Sequence, residues 1–480
     1  MSVTDATQFY INGAFTASQG GTDMPIHNPS EDAVCGTVTL GSQADGEAAI
    51  AAAKSAFASW STSTKAMRVE LVEAILARYE AHADDLAHAI STEMGAPIDY
   101  ARSAQVPAGS WHIENFLMAM KDFELVQPLG DHAPDDRIIY DPVGVVGLIT
   151  PWNWPMNQVT LKVIPALLAG CTMMLKPSEI APLSSQIFSH IMHEAGTPAG
   201  VYNMVHGDGL GIGTLLSGHQ DIDMVSFTGS TRAGKAISEN AAKTLKRIHL
   251  ELGGKGANII FDDADEKAIK RGAIHCFNNA GQSCNAPTRM LVARARYDEA
   301  VETAKQVASM MAPGKASESG RHIGPVVSQL QFEKIQTLIE TGISEGATLI
   351  AGGTGKPEGL EDGYFVKPTV FADVHNQMNI AREEIFGPVL SIIPFDSEED
   401  AIEIANDTDY GLTNYIQSSD ADRIRRVTRQ LRSGMVEVNG KGRGRMSPFG
   451  GMKASGNGRE GGKWGIEDFM EVKAVSGWEG

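Results

Sequence analysis

Cys284 lies in the run Phe277-Asn278-Asn279-Ala280-Gly281-Gln282-Ser283-Cys284-Asn285-Ala286-Pro287-Thr288-Arg289, among small, polar, turn-forming residues. A packing cysteine belongs among apolar neighbours, whereas a tight polar turn gives a thiol access and nearby backbone N–H groups. A buried structural cysteine is the plainer account, and a nucleophile is the sharper one. Upstream, Ile248-His249-Leu250-Glu251 reads as a buried strand ending in a carboxylate, followed by Leu252-Gly253-Gly254-Lys255. Glycines there let a backbone or ligand come close. A lone glutamate is usually solvated or ion-paired, but the carboxyl end of a sheet strand is where α/β enzymes bind ligands. A thiol and a carboxylate in one pocket can do covalent chemistry on a carbonyl.

Further segments carry weaker signals. Phe227-Thr228-Gly229-Ser230-Thr231-Arg232-Ala233-Gly234-Lys235 takes a strand through a glycine turn into a helix, whose first N–H groups suit a phosphate. The same string fits the start of a P-loop, but Ala236 stands where the Mg²⁺-binding hydroxyl belongs, which argues against nucleotide triphosphate hydrolysis. Gly207, Gly209, Gly211 and Gly213 approach the GxGxxG pattern without completing it, so a dinucleotide phosphate is expected at Gly229-Ser230. Asn153, in Thr150-Pro151-Trp152-Asn153-Trp154-Pro155, has an amide that can donate to an oxyanion; a turn asparagine is the alternative. Lys176 and Glu179 follow another strand and can bind ribose hydroxyls or phosphate, or simply be surface charge. Glu383 and Glu384 precede a Gly387-Pro388 turn. No metal site is expected: His275 beside Cys276 has no second ligand pair at zinc spacing, and His190, His193 and Glu194 match neither zincin order.

These residues need a scaffold. The 480-residue length exceeds one ordinary core and implies two or three domains. With 42% hydrophobic and 21% charged residues the chain reads as a soluble globular protein. A net charge of −19 gives no electrostatic reason to bind nucleic acid or an anionic membrane. There is neither a spanning apolar run nor an N-terminal signal pattern, and four cysteines (35, 171, 276 and 284) without CxxC spacing point to the cytoplasm. Residues 1 to 40 read as short strands and turns. Helix follows, with Asp45 as cap for Glu47 to Trp60 and one continuous helix from Arg68 to Glu93. Buried strands at Val143–Ile149, Cys171–Leu175, Val201–Val205 and Met224–Phe227 alternate with helices, which predicts a parallel sheet covered on both faces. Strands at Ala257–Phe261, Met290–Val292, Ala347–Ala351, Val389–Pro394 and Met435–Val438 predict a second α/β unit. Residues 123 to 142 and the strand around Val472-Lys473-Ala474-Val475 fit neither unit. They read as an arm that pairs with a partner chain or as an ordinary edge hairpin.

Seven strings in order, PWNWP at 151, LKPSE at 175, FTGSTRAG at 227, LELGGK at 250, GQSCNAPTR at 281, EEIFGPV at 383 and SPFGGMKASGNGRE at 447, resemble the aldehyde dehydrogenase superfamily over essentially the whole chain. The resemblance implies a Rossmann-type cofactor domain (1–122 and 143–253), an α/β catalytic domain (254–450) and a small β oligomerisation arm (123–142 and 467–480) in a homodimer or homotetramer. It implies Cys284 as nucleophile, Asn153 as oxyanion donor, Glu251 as base and Lys162 as an aid to proton transfer. Cofactor contacts are implied for Trp152, Lys176, Glu179, Gly229, Ser230, Gly234, Leu252, Glu384 and Phe386. Glu179 favours NAD, since a carboxylate accepting from a 2′-hydroxyl repels a 2′-phosphate; NADP stays open as the second cofactor.

Gly256, Trp154 and Asn285 depart from the usual family residues, and Trp154, Asn285 and Phe449 are expected along the substrate path. The basic loop Gly440-Lys441-Gly442-Arg443-Gly444-Arg445 suggests that Lys441, Arg443 or Arg445 recognises an anionic aldehyde; a solvated loop is the alternative. The expected reaction is oxidation of an aldehyde to a carboxylic acid with reduction of NAD(P), through a cysteine thiohemiacetal and a thioester hydrolysed by water. Three other readings compete: a CoA-acylating semialdehyde dehydrogenase, a silent homologue and a cysteine hydrolase. The presence of Glu251, of the whole Cys284–Asn153–Glu251 set, and of the cofactor residues weighs against each in turn.

Overall fold

Val145–Ile149, Thr172–Lys176, Tyr202–Met204 and Met224–Thr228 are buried at every residue, as strands of a parallel sheet covered on both faces must be. They belong to the larger of two main sheets in the computed structural model, which describes residues 3–478. Met1, Ser2 and the last two positions of the expected arm, 479 and 480, lie outside the described residues. The order in this sheet is Gly456–Asn457, Arg247–Glu251, Met224–Thr228, Val145–Ile149, Thr172–Lys176, Tyr202–Met204, Gln8–Ile11, Ala14–Ala17. Its five central strands run parallel. From Val145–Ile149 the chain winds outward through Thr172–Lys176 and Tyr202–Met204. It then crosses back to place Met224–Thr228 on the other side. That reversal makes a switch point between Val145–Ile149 and Met224–Thr228, where a doubly wound sheet opens a crevice at its carboxyl ends.

The second sheet has seven strands in the order Thr348–Ala351, Thr369–Ala372, Val389–Phe395, Arg289–Ala293, Ala257–Ile260, Thr413–Gln417, Met435–Val438. All pairs are parallel except Thr348–Ala351 with Thr369–Ala372. The expected strand at Ala347–Ala351 is therefore an antiparallel edge, and Thr348 and Leu349 are exposed. The two segments that fit neither unit come together: Met470–Val475, Arg137–Pro142 and Val126–Pro128 form a three-stranded antiparallel sheet. Thr22–Asn28 pairs with Ala33–Leu40 in a separate ribbon.

Two helix readings need correction. Ser42, not Asp45, caps the helix Gln43–Trp60; Asp45 is the third helical residue and returns a bond to the Ser42 N–H, closing a capping box. Arg68 to Glu93 is two helices, Lys65–Ala81 and Ala83–Met94, broken at His82. His82 bonds Asp85 and Glu194 from that break, so tertiary contacts hold a junction that apolar spacing alone does not show. Cys171 is fully buried just before its strand, and Cys276 is fully buried in the helix Ala268–Phe277.

Candidate active site

At the switch point, residues at and just beyond the carboxyl ends of three parallel strands line one cavity of about 210 Å³: Pro151, Trp152 and Asn153; Thr228, Gly229 and Ser230; Glu251, Leu252 and Gly253. Cys284, Gln331, Lys334, Glu384 and Phe386 close it from the second sheet's side. Ser230 caps the 11-residue helix Thr231–Ala241, its hydroxyl accepting from the Ala233 N–H at 3.3 Å, so this helix presents its N-terminus to the cavity. Glu384 is held by the Gly254 N–H at 2.8 Å. A Cβ at Gly253 would lie 2.3 Å from a Glu384 oxygen, so only glycine admits the carboxylate there. The Phe386 ring meets Trp152 edge-on, centroids 5.5 Å apart. The Thr228 hydroxyl is buried without a partner among the described residues. An anion-binding helix end, a fixed carboxylate and two aromatic walls fit a dinucleotide lying across the carboxyl ends of the strands.

Cys284 is reached through a strained turn. Asn279, Ala280 and Gly281 all take left-handed φ values, 55°, 54° and 73°. Non-glycine residues hold such angles only where surroundings fix them, and here they do. The Gln105 amide bonds Asn279 Oδ1 and the Asn153 carbonyl, both at 3.1 Å. The Gln282 amide donates to the Asn279 and Pro325 carbonyls and accepts from the Val327 N–H. A Cβ at Gly281 would sit 2.1 Å from the Gly387 carbonyl oxygen, and one at Gly254 2.4 Å from that of Cys284. The LELGGK and GQSCN segments thus lock backbone to backbone. Asn153 Nδ2 donates to the Gln282 carbonyl at 3.0 Å, which puts its amide beside the turn that carries the thiol.

Glu251 ends its strand fully buried, and neither carboxylate oxygen accepts a hydrogen bond among the described residues. His249 Nε2 stands 3.5 Å from Glu251 Oε1, an ion-pair separation. Burial pushes Glu251 up to about 7, against the pull of His249. Burial, and then the charges of Glu384, Glu251 and Glu460, push the Cys284 thiol up to about 12, so at neutral pH it must lose its proton to a base. Lys162, fully buried, donates to Glu460 Oε1 at 2.8 Å and Ser226 Oγ at 2.9 Å and faces Glu251 through its charge.

On its other side Cys284 faces a second cavity of about 440 Å³, lined by Trp111, Trp154, Leu161, Phe449, Pro107, Ala108, His112, Asn157, Gln158, Ser283, Asn285 and Arg443. Trp154 Nε1 donates to Ser283 Oγ at 2.9 Å, and the Tyr415 hydroxyl donates to the Asn285 carbonyl at 2.6 Å. Burial pushes His112 down to about 4, and its Nε2 bonds Asn157 Oδ1 at 2.9 Å. A third cavity of about 850 Å³ shares Trp111, Asn285 and Arg443 and is also lined by Lys267, Lys270, Arg271 and Glu437. Cys284 is therefore the one residue common to the 210 and 440 Å³ cavities.

Several expected residues lie apart from these walls. Lys176 donates to Glu179 at 3.1 Å and to the Gly207 carbonyl at 2.5 Å, at the end of the strand next to Val145–Ile149 but outside the 210 Å³ cavity. Gly234 is buried in its helix, where a Cβ would meet Leu252 at 2.7 Å; it sets packing behind the cavity. Arg443 lines the 440 and 850 Å³ cavities with its guanidinium 4.6 Å from the Phe449 ring centroid. Arg445 does not: it pairs with Glu114 at 3.2 Å and lines neither cavity, and Lys441 lines neither, which narrows the basic-loop reading to Arg443. Trp111, His112, Gln331, Lys334 and His249 escaped the sequence reading. His249 alone carried a usable signal, since alternation places it on the same face of the strand as Glu251.

Comparison with known proteins agrees with this geometry. The family model described as Aldehyde dehydrogenase family matches residues 15–475. The 3-succinoylsemialdehyde-pyridine dehydrogenase of a Pseudomonas species is 48% identical over 478 residues, 99% of either chain. Among solved structures, an aldehyde dehydrogenase from Bartonella henselae is similar at a TM-score of 0.98 and 57% identity, covering 99% of this chain and 100% of that one. A mutant of aldehyde dehydrogenase C from Pseudomonas syringae, in complex with NAD+ and octanal, has a TM-score of 0.96 and 43% identity, covering 98% of this chain and 97% of that one. With the match extending over nearly its whole length, this chain belongs to the aldehyde dehydrogenase family.

Proposed function

We propose that this protein oxidises an aldehyde to a carboxylic acid through covalent attachment to Cys284, with NAD as cofactor. The single observation that supports this most is that one thiol lines both the cavity at the carboxyl ends of the strands and a second, aromatic cavity. Cys284 Sγ adds to the carbonyl carbon, and its proton passes to the Glu251 carboxylate. The alkoxide formed accepts from Asn153 Nδ2 and the Cys284 N–H. Bound NAD supplies the acceptor for the hydride that leaves this carbon, and the thiohemiacetal becomes a thioester. Glu251 releases the thiol proton to solvent and, ionised again, takes a proton from water; the hydroxide attacks the acyl carbon, the C–S bond breaks, the sulfur regains a proton from Glu251, and the acid leaves.

Trp152, Gly229, Ser230, Leu252, Glu384 and Phe386 would hold the cofactor. Lys176 and Glu179 would reach its adenine ribose, and Gly234 would support the helix behind the phosphates. Glu179 favours NAD over NADP for the charge reason given above. Lys162 offsets the Glu460 charge near the base. The lining of Trp111, Trp154 and Phe449, with Arg443 at the outer end, suits an aldehyde with a flat or extended tail that ends in an acceptor group. The semialdehyde on a pyridine named for the Pseudomonas relative is of that kind.

We also assign residues 1–122 and 143–253 to a cofactor domain, 254–450 to a catalytic domain, and the three-stranded sheet to an arm joining copies of the chain in a dimer or tetramer. Among the described residues no helix is long and apolar enough to cross a membrane. The four free cysteines suit a reducing, cytoplasmic setting. Absorbance at 340 nm on an aldehyde panel with NAD tests the function. Aldehyde-dependent NADH should form in the parent and fall by at least about 10³-fold in Cys284→Ser, and no signal with any aldehyde would refute the reading.

A further inference from the structure

One face of the strand Arg247–Glu251 carries Arg247, His249 and Glu251, because alternate residues of a strand share a side. At its end, the Glu251 carboxylate is fully buried with both oxygens unpartnered among the described residues. Two residues back, His249 is equally buried. Its Nδ1 bonds the Asp468 carboxylate, and its Nε2, which has no hydrogen-bond partner of its own, stands 3.5 Å from Glu251 Oε1. Asp468 follows the short helix Gly462–Glu467 and is partly open to solvent. Its place is fixed by Arg247, whose guanidinium bonds the Asp468 and Met470 carbonyls at 2.9 and 2.7 Å. Two glycines press backbone onto the pair: a Cβ at Gly458 would lie 2.7 Å from His249 Nδ1, and one at Gly450 2.6 Å from Glu251 Oε1.

Resting on the covalent reading above, we propose that Asp468 and His249 form a positioning pair that holds a charged imidazole against Glu251 and so keeps this carboxylate available as the base. The other charged groups around it leave that task to His249. Lys162 is paired with Glu460, so these two charges offset each other. The Arg459 guanidinium is taken up by the Gly451 and Gly458 carbonyls. On the wall of the same cavity, the Glu384 carboxylate accepts from the Gly254 N–H, Lys334 donates to the Glu384 carbonyl at 2.8 Å, and Cys284 is a neutral thiol at neutral pH. Without the imidazolium, Glu251 would be left in a buried site facing the Glu460 charge, and both burial and that charge favour its protonated form. His249 can stay charged there: burial opposes it, but Asp468 and Glu251 outweigh burial and push it up to about 9.

The test isolates the hydrolytic step. Enzyme is loaded with one equivalent of aldehyde in the presence of NAD, samples are quenched in acid, and loss of the acyl group from Cys284 is followed by intact mass from pH 5.5 to 9. The parent should show an acid limb near the Glu251 value. In His249→Asn and in Asp468→Asn the limb should move up by about one pH unit or more, a roughly tenfold slower hydrolysis at pH 6. Two variants from different elements guard against a folding defect in one of them. A limb that stays in place in both, or a loss of rate that is uniform across pH, overturns the pairing. An acyl group absent from the parent at every pH would instead overturn the covalent reading, and the pairing with it.

Discussion

Glu251 and Cys284 are each pushed by burial toward the neutral form, and that determines how they work together. A thiol raised to about 12 resists idle oxidation and alkylation, yet needs a base close by to become a nucleophile. A carboxylate raised to about 7 is strong enough to take its proton and weak enough to release it near neutral pH. Since its pKa is raised, the base is ionised above about pH 7 and lost as pH falls through that value, so turnover should drop on the acid side. A role in specificity is proposed for Arg443. Its guanidinium lies over the Phe449 ring and 4.0 Å from Glu437, and it lines both the 440 and the 850 Å³ cavity. Arg443→Ala should lower kcat/KM for aldehydes with a distal carboxylate by about tenfold relative to neutral ones of equal length. Equal losses for both would make Arg443 a packing residue.

At the scale of elements, much was legible because the signals were local. Unbroken apolar runs marked Val145–Ile149 and Met224–Thr228, and the glycine turn after the latter lines the 210 Å³ cavity at the switch point. Cys284, Glu251 and Asn153 stood out by type, and the fold brings them to one place. What stayed hidden depends on contacts across long stretches of chain. The break at His82 is held by Glu194, and the turn before Cys284 is locked by Gln105 and by Val327, none of which is near in sequence. Trp111 and His112 line the 440 Å³ cavity from the helix Val106–Lys121, where they look like any amphipathic face. A basic loop does not reveal which side chain turns inward; Arg445 pairs with Glu114 and lines neither of the 440 and 850 Å³ cavities. Helix junctions and caps such as Ser42 fall within the reach of sequence rules only to a residue or two.

At the scale of the molecule, the three-stranded sheet bears on assembly. Met470–Val475 is a six-residue edge strand with Val472 63% exposed, and Val126, Leu129 and Trp478 are exposed nearby. An open edge with apolar side chains is a surface that calls for a partner strand. Val472→Asp should shift the protein toward monomer in light scattering at micromolar concentration, while a parent that is already monomeric would remove the arm's proposed role. The two large sheets matter to the chemistry because they place two cavities on opposite sides of one thiol. The most direct test of that claim is intact mass of Glu251→Gln after mixing with aldehyde and NAD. An acyl adduct on Cys284 should form more slowly than in the parent and, once formed, be hydrolysed about 10²-fold more slowly. NADH formed by this variant with no adduct at Cys284 would contradict it.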